Sequence, residues 1–358
     1  MQQFTSLEAA LLEQVDASPM LEQVQTWSAI NTGTGNLTGL AEQAARLADA
    51  FAALPGDVRL EEPAPASAIT PAGEEAPVAY GRHLVVRVRP QAERRFLLTG
   101  HMDTVFPASH PFQGQTWLDE QTLNGPGVAD MKGGIAVILA ALRAFEVSAA
   151  AKAVGYDVMI NSDEETGSLS SAPLIAQLAR GKAAALTYEP SALPDGTLAG
   201  ARAGSGNWSV TIRGRSAHAG RNPDDGRNAI VAAAALALGL KALHRDGLSV
   251  NPARIEGGSA NNVVPDLAVL RFNIRPRHEQ DAEGFSIQFK QLIAAIENEH
   301  EVSVHLHGGI SRPPKPVDAR AEKLFGIVEE CSALLGQPIT RKASGGVCDG
   351  NNIAACGV

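Results

Sequence analysis

Basic residues are in deficit: 30 lysines and arginines face 39 aspartates and glutamates, a formal net charge of -9 over 358 residues. That balance excludes the basic footprint a nucleic-acid binder needs. Long apolar runs are missing as well. The longest, Ala229 to Leu240, falls short of the roughly 18 residues that cross a bilayer, so no membrane span is expected. Cysteine is scarce: Cys331, Cys348 and Cys356 are odd in number and lack CxxC spacing. They imply no disulfide framework and are expected as buried or surface thiols. No GxSxG or HExxH occurs, and GPGVADMKGG fits neither GxGxxG nor GxxxxGK[ST], which removes serine-nucleophile, zincin and nucleotide-binding readings. The start, MQQFTSLEAALLEQVD, has neither the basic region nor the continuous apolar stretch of a signal peptide. It reads as an amphipathic helix, and a cytoplasmic location is expected.

What is present is an ordinary globular balance, 44% hydrophobic and 19% charged, long enough for one large core or two. Leucines and alanines at three- and four-residue spacing predict helix over much of the first 55 residues, stopped by Pro55 and Gly56. Pro63 to Pro71 suits an exposed connection. HLVVRVRP at His83 alternates like a half-buried antiparallel edge strand, and RRFLLTG at Arg94 reads as a fully buried central one. VMI at Val158 and AAALTY at Ala183 repeat the buried pattern. Helical stretches GGIAVILAALRAF and APLIAQLAR separate them, so the expected fold class is α/β, a mainly parallel mixed sheet with helices on both faces. Near Gly204 the pattern changes to β, α, β, α, β, the mark of an inserted two-layer α+β unit. The expected division is 1–203 for the first part of the α/β domain, 204–311 for the insert and 312–358 for the second part, with AEKLFGIVEECSALLG as a returning helix.

The chemistry sits at the carboxyl end of each apolar strand. FLLTG runs into His101 and Asp103, VMINS into Asp163, Glu164 and Glu165, and AALTY into Glu189, while GPGVADMKGG places Asp130 just before a helix. Ligands of open α/β sheets bind at the carboxyl ends of the strands. Carboxylates gathered there would repel one another unless a cation sat among them. His101, Asp130, Glu165 and Glu189 offer one imidazole and three carboxylates, a set that suits zinc or manganese, with Asp130 as the candidate bridge between two ions. Asp103 is placed to orient His101. Glu164 and Glu165 point in different directions, so one is expected to hold metal and the other to act as general base. His110 reads as a loop residue, His305 and His307 as lying on the exposed face of VSVHLH, and His83, His244, His278 and His300 carry no signal.

Together GHMDTVFP, NGPGVADMKGG, SDEETGS, YEPS and GRSAHAGRNPDDGRNAI resemble the dizinc exopeptidases and deacylases that include carboxypeptidase G, acetylornithine deacetylase, succinyl-diaminopimelate desuccinylase and aminoacylase, most of all the glutamate carboxypeptidase branch. The resemblance implies two Zn2+ per chain, with Mn2+ or Co2+ as possible substitutes: His101, Asp130 and Glu189 on one ion, Asp130 and Glu165 on the other. It implies Glu164 as the base, Asp103 behind His101, and a cis bond after Asp130. It makes the insert a lid and dimerisation domain, with His218 reaching a partner's site to stabilise the oxyanion, and with Asn262, Arg275 and Arg312 holding a substrate carboxylate. The implied activity is hydrolysis, by a metal-bound hydroxide, of an amide beside a free carboxylate in a small peptide or N-acyl amino acid. The chain ends at Val358, before the family's last metal-binding histidine, so the expectation from this sequence is a C-terminal truncation and an incomplete second site. The alternative is a non-catalytic dimer that binds a carboxylate or a metal.

Overall fold

The computed structural model describes residues 3–358. The elements in chain order begin with α1 (Ser6–Leu12), α2 (Met20–Ser28), α3 (Leu37–Phe51), β1 (Asp57–Glu61), β2 (Ala66–Ile69), β3 (Glu75–Val78), β4 (His83–Val88) and β5 (Arg94–His101). A small hairpin, β6 (Thr116–Trp117) with β7 (Leu123–Asn124), precedes α4 (Gly133–Glu146), β8 (Val154–Asn161), α5 (Ala172–Ala179), β9 (Ala184–Thr187) and β10 (Leu198–Arg202). Then come β11 (Ser205–Arg213), β12 (Ala217–His218), α6 (Ala229–Ala242), β13 (Leu248–Gly257), β14 (Val263–Val264), β15 (Leu267–Pro276), α7 (Glu279–His300) and β16 (Ser303–Arg312). The last elements are α8 (Ala319–Leu334), β17 (Arg341–Ser344) and α9 (Asp349–Ala355).

The main sheet has the order β1-β4-β8-β5-β9. Its pairings divide evenly: β5 runs parallel to β8 and β9, while β4 is antiparallel to β1 and β8. The sheet is therefore mixed rather than mainly parallel. One face carries α2, α3 and α4, which bury Trp27, Leu40, Leu47, Phe51, Ile135 and Leu139 against it. These positions recur every three or four residues, and Asn36 caps α3 by accepting from the Gly39 N–H. The other face is covered by α5 and α9 through Ile175, Leu178 and Ile353.

Three expectations need correction. β4 is not an edge strand: it lies between β1 and β8, and only Arg87 of its six residues is not buried. The apparent alternation arose because His83, fully buried, is polar yet sits between the hydroxyls of Ser162 and Ser170, at 3.5 and 3.4 Å. The real edge is β1, whose DVRLE is too polar to stand out. The segment from Pro63 is not a bare connection, since β2 pairs with β3 and this hairpin reaches the second unit. Finally, β13 was hidden by Asn251 and Pro252, which disrupt its alternation and coincide with a register shift against β15.

Residues 205–312 build a four-stranded antiparallel sheet, β13-β15-β11-β16, with α6 and α7 on one face. Its core is where the aromatics are spent: Trp208 stacks on Phe272 at 5.1 Å and Phe285 on Phe289 at 5.3 Å. The opposite face receives the β2–β3 hairpin. Arg271 Nη2 donates to the Ile69 carbonyl at 2.6 Å, and His307 Nε2 lies 3.1 Å from Ser67 Oγ, so His307 is half-buried rather than exposed. β10 pairs with β17 beside α8, which buries none of its residues fully. No helix among the described residues is long and apolar enough to cross a membrane.

Phe285→Ala empties a fully buried position and is expected to cost about 3–5 kcal/mol, read by urea denaturation. Ile287→Ala, on the 61% exposed face of the same helix, is expected to stay within about 0.5 kcal/mol.

Candidate metal centre

The parallel strands deliver the site. β5 and β8 end in register, His101 opposite Asn161, and β9 lies on the other side of β5. The side chains just beyond their ends therefore emerge at one sheet edge. Asp130 arrives from the other direction, in the turn leading into α4. That turn is tight: Gly127 has φ +70°, a left-handed conformation that glycine adopts freely. A Cβ at Gly134 would collide with the Tyr188 carbonyl, so glycine there lets α4 approach the loop bearing Glu189. The Asp130–Met131 peptide bond is cis.

His101 is the hub. It is 1% exposed, with Nε2 3.0 Å from Asp130 Oδ1 and 3.9 Å from Glu189 Oε1. One ligand atom each from His101, Asp130 and Glu165 lies within 4.8 Å of the others. On the far side of the ring, Nδ1 is 3.0 Å from the Asp103 carbonyl oxygen and 3.4 Å from its carboxylate. Asp103 thus faces the ring with both its main chain and its carboxylate. The buried carboxylate also accepts from the Glu164 and Glu165 N–H groups, each at 3.2 Å, and from Thr34 Oγ1 at 2.8 Å. It pins the acidic loop to β5.

The electrostatics are those of crowded, desolvated acids. Burial pushes Glu165 up to about 7, with Asp130, Asp103 and Glu189 adding to the rise against the relief given by His101. Burial also raises Glu189 and takes Glu164 up to about 9, the latter countered by His101 and Arg312. Burial alone would depress His101, but hydrogen bonds to Asp103 and Asp130 outweigh it and hold the imidazole well above its ordinary value. A cation at this point would let the carboxylates ionise and take the place of the proton on Nε2. The residues present therefore fit a divalent metal held by nitrogen and oxygen donors.

Other expected site residues are distributed differently. Arg312 is buried against Glu164, with Nη2 2.8 Å from Glu164 Oε1, and also meets Ser168 and Asp349. It is not grouped with Asn262, which lies beside His218 where β12 pairs with β14. Among the described residues, no hydrogen bond or ion pair joins that pair to the metal cluster. Arg275, half-buried, donates from Nε to Asn273 at 3.0 Å and lines a cleft of about 760 Å³ together with Arg202 and Ser344. Burial and the charge of Arg312 hold its pKa below the usual arginine value.

Two participants were given no role from sequence. Asp349, in GGVCDGNN, is 3% exposed, and only the fold reveals that it faces Arg312. Lys132, fully buried, donates to the Ile30 carbonyl at 3.2 Å, and burial lowers its pKa to about 8 against the pull of Asp103. Nothing in the MKGG run distinguishes it from a surface lysine.

Comparison with known proteins decides the family. Residues 200–301 match the model described as the peptidase dimerisation domain of M20 peptidases, and residues 83–189 match the model of peptidase family M28. The chain is 30% identical over 283 residues to succinyl-diaminopimelate desuccinylase of Xanthomonas oryzae pv. oryzae (strain MAFF 311018), covering 73% of each protein. The chain belongs to the M20 family of metallopeptidases and amidohydrolases. It is also 31% identical over 219 residues to carboxypeptidase G2 of Pseudomonas sp. (strain RS-16), a match over 59% of this chain that spans about half, 51%, of that relative's length. The M20 fold is shared with solved structures of low identity. A tripeptidase from Staphylococcus aureus subsp. aureus Mu50 superposes with a TM-score of 0.71 at 22% identity, over 96% of this chain and 89% of that one. An M20 family metallo-carboxypeptidase from Sulfolobus solfataricus gives 0.68 at 14% identity, over 94% and 89%.

In the metal-free M20 chain these raised groups set the sign of the pH dependence. Glu165 titrates near 7 in the fold but near 4.5 when unfolded, so between those values the folded state binds more protons and stability falls as pH rises. His101, also raised, acts in the same direction above about 6.5. Replacing Glu165 by Gln is expected to flatten the fall in Tm between pH 5 and 7. Zinc binding should release protons, visible as buffer-dependent heats in calorimetry.

Proposed function

We propose that this chain is a zinc-dependent hydrolase of amides beside a free carboxylate, acting on small peptides or N-acyl amino acids. The observation that carries the reading is the convergence of His101, Asp130, Glu165 and Glu189 at one edge of the sheet, with the buried Glu164 alongside. In this reading His101, Asp130 and Glu189 would hold one zinc ion, and Asp130 and Glu165 a second. Zinc bound there would supply Lewis-acid polarisation of a carbonyl and a lowered water pKa.

The protein's own residues divide the remaining work. Glu164, 7% exposed, accepts a proton and returns it to the departing amine. With its pKa raised to about 9 the carboxyl is protonated near neutral pH, and a bound cation beside it would lower that value toward the working range a general base needs. Asp103 fixes both the ring of His101 and the backbone of the Glu164–Glu165 pair, so the base and the metal ligands share one anchor. Arg275 lies on the sheet face turned toward the first domain, where its planar fork can meet the substrate carboxylate. We assign residues 204–311 as the lid and dimerisation domain, between 1–203 and 312–358 of the catalytic domain. We further assign the working state as a homodimer in which His218 on β12 and Asn262, in the turn just before β14, serve the partner's site.

Glu164→Gln keeps the shape and removes the proton acceptor. Turnover of N-acyl-glutamates is expected to fall by roughly 10²–10⁴ with zinc content unchanged in elemental analysis. Retention of full kcat would remove Glu164 from its role.

A further inference from the structure

Arg312 is a buried guanidinium used from one corner only. Each hydrogen bond described for it leaves from Nη2: to the Glu164 carbonyl at 2.9 Å, Ser168 Oγ at 2.7 Å and Asp349 Oδ1 at 3.4 Å. Nε is buried with no hydrogen-bond partner. An unused N–H on a buried arginine is costly unless something is meant to meet it.

The aim of the guanidinium is set from behind. Asp349 lies fully inside the protein and accepts from Ser168 Oγ at 2.5 Å and from Asn161 Nδ2 at 2.8 Å, while its own Oδ1 faces Arg312. Ser168 stands between them, giving its hydroxyl proton to Asp349 and accepting from Arg312. Its backbone is in the left-handed region, φ +57°, which residues other than glycine seldom occupy. The conformation is held by its N–H bond to the Asp163 carbonyl at 2.9 Å, and it turns the hydroxyl toward the pair. Strain concentrated on one small polar side chain points to a use for that side chain.

We propose that Asp349, acting partly through Ser168, is a positioning residue that aims Arg312: Nη2 toward Glu164, and the Nε edge toward the carboxylate of a ligand. Because a guanidinium is rigid and planar, fixing one nitrogen fixes the others. The carboxylate-recognition half of this inference rests on the proposed function; the aiming of Arg312 does not. Neither Asp349 nor Ser168 belongs to the metal cluster, so their loss should spare the metal.

The test uses the full chain, 15N-labelled and zinc-loaded, with the Arg312 Nε–H resonance assigned by its absence in Arg312→Lys. In the wild type this proton is expected to exchange slowly, and in Asp349→Asn to exchange at the rate of a free arginine. Glutarate and its neutral diamide are then titrated calorimetrically. Asp349→Asn is expected to weaken glutarate about tenfold, or about 1.4 kcal/mol, with diamide binding and zinc content unchanged. Ser168→Ala should act in the same direction by roughly threefold, and it carries the test should Asp349→Asn fail to fold. An unchanged Nε–H exchange rate would overturn the inference, as would equal loss of glutarate, diamide and zinc. Absence of glutarate binding in the wild type would instead sink the proposed function, while the exchange rates still decide the role of Asp349.

Discussion

The arrangement of this protein turns on a conflict: four acidic side chains and one imidazole are brought to the same sheet edge, where most of them are cut off from water. His101 resolves part of it by facing Asp130 with one nitrogen and the main chain of Asp103 with the other. The remainder is left as raised carboxylate pKa values at Glu164, Glu165 and Glu189. A fold that only needed stability would not gather these groups, because each buried charge costs several kcal/mol unless compensated. The β5–β8 register, the glycines of the turn before α4 and the buried Asp103 all serve to hold that unfavourable cluster in place.

The second junction stands behind the first. Loop 162–168, the end of β16 and the start of α9 come from three distant stretches of chain, and they meet at Glu164, Arg312, Ser168 and Asp349. Arg312 is the last residue of the second unit's final strand, so the point where that unit joins the first domain is also where the proposed base is held. The β2–β3 hairpin provides another tie, from the first domain to the open face of the second sheet, through Arg271 and His307.

Much of this is legible in the chain itself, and for a physical reason. In a parallel ladder the apolar strand and the polar residue at its end are adjacent in sequence, so FLLTG leading into His101, and AALTY leading into Glu189, announce both the core and the edge at once. The second unit's helices are equally plain, since NAIVAAAALALGLKALH is a long apolar helical run that buries Ala229, Ala232, Ala233, Leu236 and Leu240. What escapes sequence reading is anything fixed by contacts between distant segments. β1 is too polar to read as a strand, β13 is interrupted by Pro252, and β4 looks half-exposed because His83 finds its partners on Ser162 and Ser170, far along the chain. Arg312 reads from sequence only as a candidate for holding a substrate carboxylate; its ties to Glu164 and Asp349 exist only once three segments have met.

The central claim, that the acidic edge is a metal centre, is tested most directly by the zinc retained per chain after exhaustive dialysis, measured on the wild type and on His101→Ala. The account predicts stoichiometric zinc in the wild type and its loss in His101→Ala, with the fold intact by circular dichroism. A wild-type chain that retains no zinc, or a His101→Ala chain that retains as much, would contradict it.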